Sequence, residues 1–225
     1  MLMQAKMGGG LLGGSDGAGK TINYVNRYIS TTNGTTYTFS SCSLGVESAD
    51  RRVIVGAHMY GSTSRTLTSA TINGVSATEL TTESGTANTL LIIAHVPTGA
   101  TGDIVLNWSG SCAGSAVSVW YATGLTSDTP VATSQDGATT TLSVNLATVD
   151  GGFIVAAATV RYGDSTTRTH SWTNASEDFD AELEDTGSDG ASISGAHVAT
   201  TGASVTVTDT ISSAGLTGRA GFASF

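Results

Sequence analysis

The chain has 225 residues, a formal net charge of −9, charged residues at only 12% and 29 glycines, so it is long enough for one sizeable core but poorly suited to helices. Lysine occurs only at Lys6 and Lys20, and the arginines are scattered, so the basic stripe that nucleic acid or an anionic membrane surface requires is missing. No apolar run reaches the roughly 20 residues of a membrane-spanning helix.

The first residues, Met1 to Gly10, lack the continuous apolar stretch of a signal peptide. Glycine dominates residues 1–20, which read as an extended arm, with Leu2, Met3, Met7, Leu11 and Leu12 as its apolar anchors. Residues 14–21, from Gly14 through Gly19-Lys20-Thr21, match the whole G-x-x-x-x-G-K-[ST] phosphate-loop pattern. That loop needs a buried strand before it and a long helix after it, and the flanking residues provide neither, so a nucleotide site ranks third among the functional readings. Residues 21–30 fit either a short helix or a first strand.

From residue 35 onward the pattern is strand after strand. Residues 36–40 alternate with period two, while 52–60 and 89–96 are nearly continuous apolar runs, as expected where both faces of a sheet are covered. Asn73-Gly74 lies between two β-prone runs and predicts a two-residue hairpin turn with both residues at positive φ. Strands are expected at 103–109, 116–122, 141–146, 152–160, 192–199, 204–211 and 219–225. Trp108, Trp120 and Tyr121 fall within these and read as core. About ten strands at short spacing, with no crossover helix and no internal repeat, predict an all-β fold: an antiparallel β-sandwich or jelly roll. One boundary is expected, dividing a 1–34 docking arm from a 35–225 sandwich domain.

Few groups stand out chemically. Gly110-Ser111-Cys112-Ala113-Gly114 has the spacing of a nucleophile elbow, but a strand rather than a helix follows it. Cys42 and Cys112 read as buried thiols or, less favoured, as a bridge. His58, His95 and His197 each follow an alanine; a three-histidine zinc site is chemically sound, and polar positions on strand faces are the preferred reading. Residues 177–185 alternate Asp178, Asp180, Glu182 and Glu184 with apolar residues, so an extended strand places four carboxylates on one face. Calcium is one reading of this 177–189 cluster, and a charged edge strand guarding against aggregation is the favoured one. No catalytic, cofactor or metal residue is assigned. The sequons at Asn33, Asn107 and Asn174 are expected by chance in so Ser/Thr-rich a chain.

Two runs in the first half of the chain, residues 48–59 (Ser48 to Met59) and 65–78 (Arg65 to Thr78), carry a likeness, which 96–109 and 117–125 continue. Over residues 35–160 the chain resembles accessory virion proteins of tailed bacteriophages, of the head-decoration, head-fibre or tail-associated type. The resemblance implies a non-enzymatic β-sandwich made in the host cytoplasm and built into the virion. Its partners would be other copies of itself and capsid or tail proteins. The alternative, from a different class, is a host-glycan-binding module.

Overall fold

The structure is a computed structural model, which describes residues 19–82, 84–185 and 189–225. The described residues form seventeen strands and no helix, in four antiparallel sheets. This is the all-β sandwich expected from the pattern, with more strands and more layers than the sequence suggested. The nine strands of the first half are β1 (Thr21–Ser30), β2 (Gly34–Ser43), β3 (Arg52–Arg65), β4 (Leu67–Ile72), β5 (Val75–Ser76), β6 (Thr78–Glu79), β7 (Gly85–His95), β8 (Thr101–Cys112) and β9 (Gly114–Thr123). The second half contributes β10 (Ala132–Asp136), β11 (Thr141–Ala147), β12 (Gly152–Tyr162), β13 (His170–Thr173), β14 (Ser176–Asp185), β15 (Gly190–Thr200), β16 (Ser204–Ile211) and β17 (Thr217–Ser224).

Sheet A has the order β1-β9-β3-β7-β6 and sheet B the order β2-β8-β4-β5. Sheet C has the order β10-β17-β12-β15-β14 and sheet D the order β11-β16-β13. The two halves therefore repeat one topology. Taken in chain order, β1 corresponds to β10, β2 to β11, β3 to β12, β4 to β13, β6 to β14, β7 to β15, β8 to β16 and β9 to β17. The single sandwich without internal repeat expected from the sequence is thus corrected to two sandwich units, joined by residues 124–131. Strand equivalence is carried by pairing order, which leaves little trace in side-chain identity.

Three apolar cores separate the four layers, which stack in the order B-A-C-D. The first, with Phe39, Val55, Ile72, Leu106 and Trp108, lies between sheets A and B. The third, with Leu142, Ile154, Val207 and Phe222, lies between C and D. The second joins the units: Ile54, Leu91, Ile93 and Trp120 of sheet A meet Phe153, Val155, Phe179 and Ile193 of sheet C. The central strands β3, β7, β12 and β15 are covered on both faces, so they read as near-continuous apolar runs, although the sheets are antiparallel.

Local chemistry explains several details. Asn73 (φ 51°) and Gly74 (φ 76°) form the predicted tight turn between β4 and β5. Residues 21–30, left open between helix and strand, are β1, paired with β9 along its length. β1 therefore belongs to the sandwich, while the remainder of the 1–34 segment before Gly19, with Leu2, Met3, Met7, Leu11 and Leu12, lies outside the described residues. The buried guanidinium of Arg51 donates to the carbonyls of Gly45, Val96, Thr98 and Gly99, tying the turn before β3 to the turn after β7.

Candidate functional site

Among the described residues, the chemical groups singled out in the sequence make structural contacts. Lys20 and Thr21 of the phosphate-loop pattern lead into strand β1, not a helix, and the Thr21 hydroxyl bonds that of Thr123 at 2.8 Å. The nucleotide reading fails there, because no helix N-terminus is present to face a phosphate. Cys112 ends β8 and Gly114 opens β9, so the elbow-like spacing is a β-hairpin turn. Cys42 and Cys112 are free thiols, each pushed up to about 11, chiefly by burial. A thiol that resists ionisation is a poor nucleophile.

The histidines go to different places. His58 is fully buried between sheets A and C, with Nδ1 3.0 Å from Thr159 Oγ1 and Nε2 3.0 Å from Ser118 Oγ. His95, exposed at the end of β7, bonds the Ala49 carbonyl at 2.9 Å. His197 places Nδ1 2.8 Å from the carboxylate of Asp178, which also accepts from Trp120 Nε1 at 2.7 Å. Among the described residues no group of three or more His, Cys, Asp or Glu is placed to hold a metal ion.

The acidic run is strand β14, the edge of sheet C, as the favoured reading expected. Its carboxylates do not share a face, because bulges between Glu177 and Phe179 and between Glu182 and Glu184 interrupt the alternation. Asp178 turns toward sheet A and serves Trp120 and His197. Asp180 accepts from the His170 amide at 2.9 Å, and Glu182 accepts from the hydroxyls of Tyr162 and Thr167. A calcium site needs its oxygens converging, and these diverge.

One constellation escaped the sequence reading. His170 on β13 has Nδ1 2.7 Å from Asp209 Oδ2 on β16 and Nε2 3.0 Å from Ser192 Oγ on β15. This is the connectivity of a serine–histidine–aspartate triad. Its environment denies it that chemistry: Ser192 and Asp209 are completely buried, and His170 is 6% exposed. Ser192 is the third residue of strand β15, facing sheet D, with no strand-to-helix bend to present its oxygen to a substrate. The three side chains form a polar rivet between sheets C and D. No local motif announces it, since its members come from three separate strands.

The surface offers a cleft of about 350 Å³ where β6, the 124–131 connection and β10 meet, lined by Thr78, Glu79, Leu80, Asp128, Thr129 and Thr133. Its carboxylates do not form an acid–base pair. Asp128 is ion-paired with Arg52, and partial burial raises the pKa of Glu79. The tryptophans give no platform for a sugar ring: Trp108 and Trp120 are buried, and Trp172 packs edge-on to Phe222 with its Nε1 bonded to Ser194.

No protein-family model matches the chain, and none of the curated proteins matches it. Among solved structures, the crystal structure of PBSX exported protein XepA is similar at 11% identity, covering 91% of this chain and 86% of that one, with a TM-score of 0.21. A TM-score of that size carries no argument about fold or function.

Proposed function

We propose that the protein is a non-enzymatic structural component of a tailed-bacteriophage virion, an accessory head or tail piece that docks through the residues before β1. The observation that carries this reading is the closure, among the described residues, of the candidate reaction centres. The one triad-like constellation is sealed between two sheets, and both thiols are buried and protonated. A four-layer body with no helix among its described residues, low in charge and coated with serine and threonine, suits an assembly subunit. The likeness of residues 35–160 to accessory virion proteins points the same way. An arm of glycines interleaved with Leu2, Met3, Met7, Leu11 and Leu12 suits ordering on a neighbour, where binding supplies the contacts that repay the lost entropy.

The test is the mass in solution, by light scattering, of the full chain and of a chain beginning at Gly19, each alone and with purified phage heads and tails. The shortened chain must keep β1, which covers the edge of sheet A. The reading expects the full chain to self-assemble or to bind particles and the shortened chain to do neither. Full-length protein that stays a free monomer throughout overturns it. The second reading, a host-glycan-binding module, draws on the threonine-lined cleft beside β10, and a glycan array with wild type and Thr133→Trp tests it.

A further inference from the structure

The two sandwich units face each other about an approximate two-fold axis. The central strands β3 and β12, which correspond to each other, lie face to face. β7 lies over β17, and in the counterpart position Trp120 of β9 packs against Gly195 of β15. β1 lies over β14 at one end, while at the opposite end their counterparts β10 and β6 line one cleft. Such an arrangement is isologous: the same face of each unit covers the same face of the other.

That face has the composition of a permanent interface. Its core is Ile54, Leu91, Trp120, Phe153, Phe179 and Phe225, among others, all buried. Its polar groups pair across the layer: Thr159 of sheet C bonds His58 of sheet A at 3.0 Å and accepts from Thr89 of sheet A at 2.5 Å. Covalently, one connection joins the units, and Thr126 and Ser127 within it are exposed. We infer that the face between sheets A and C is a self-sufficient binding interface whose partner is a second unit of this same fold, so that the chain behaves as a covalently joined dimer that does not need the 124–131 connection to stay together. The inference is independent of the proposed function.

The experiment inserts a protease recognition sequence between Thr126 and Ser127 of the full chain and cuts the folded protein. The expected result is one particle of the uncut mass at micromolar concentration, with an unchanged far-ultraviolet spectrum and two fragments released by denaturant. A matched pair of variants locates the interface. Thr159→Val removes the hydroxyl that joins the units and leaves the buried His58 Nδ1 and Thr89 Oγ1 only their long 3.4 Å contact with each other, so association of the cut halves weakens tenfold or more. Ser143→Val removes a hydroxyl bonded to Thr208 on the outer face of sheet D and leaves association unchanged. Fragments that separate or unfold on cutting, or variants that weaken association equally, overturn the inference.

Discussion

His58 is a charge-capable side chain placed where charge is least tolerated. Burial, and secondarily the field of His170, pushes its pKa down from 6.5 to about 3, so it serves Thr159 and Ser118 as a neutral imidazole. The unfolded chain binds a proton at this residue near pH 6.5, and the folded chain binds it only near pH 3. Native stability from this group is therefore complete above about pH 6.5 and is lost progressively as pH falls toward 3. Urea unfolding at pH 7, 5 and 4 checks this. The midpoint of wild type should fall more steeply with acidification than that of His58→Gln, which has no proton to take up. Parallel slopes would show that His58 is not held neutral in the fold. The same residue shows where sequence reading stops. The alanine before each of His58, His95 and His197 is visible in the sequence, but their different fates, buried, exposed and carboxylate-bound, are set by strands far away in the chain.

Strands and turns were legible to the extent that their causes are local. Asn73-Gly74 declared its turn because two residues alone set that geometry. The alternation at 177–185 declared a strand, but not the bulges that send Asp178 to one face and Asp180 and Glu182 to the other. The repeat left one faint trace: Ala94-His95 ends β7 with Val96 just beyond it, and Ala196-His197-Val198 lies late in its counterpart β15, each followed by a Thr/Gly turn and another strand. β10 and β13, at five and four residues, are too short to show a period at all. Glycine separates the two kinds of cause. A Cβ at Gly195 of β15 would lie 2.6 Å from the Phe179 ring and 2.7 Å from Trp120, between packed layers. At Gly74 a Cβ meets nothing within 4 Å and is opposed by backbone conformation alone (φ 76°). Gly195→Ala should therefore cost about 2–3 kcal/mol by overpacking and alter tryptophan emission. Gly74→Ala should cost about 1 kcal/mol and leave emission unchanged. Denaturant midpoints and fluorescence distinguish the two, and equal costs would remove the packing argument.

At the scale of the molecule, the layer order B-A-C-D gives each unit one core of its own and one it shares. Melting sheets C and D alone would strip cover from Ile54, Leu91, Ile93 and Trp120 on sheet A, and each large apolar side chain exposed costs about 1.5–3 kcal/mol. It would also leave His58 buried-side up without Thr159. A half-unfolded chain therefore carries a penalty comparable to the marginal stability of a whole domain, roughly 5–15 kcal/mol, and has little population at equilibrium. Scanning calorimetry of the uncut chain should show one transition whose calorimetric and van't Hoff enthalpies agree, despite the two units. Two resolved transitions would mean that the A–B and C–D cores hold the units independently and that the shared layer couples them weakly. The same geometry directs where further copies can attach. With the inner faces of A and C consumed on each other, what remains is the outer faces of B and D and the free edges of the sheets. Those outer faces carry neutral hydroxyl and amide pairs, Thr36 with Asn107 on B and Ser143 with Thr208 on D. Assembly through such surfaces should respond weakly to salt, because few charges meet there.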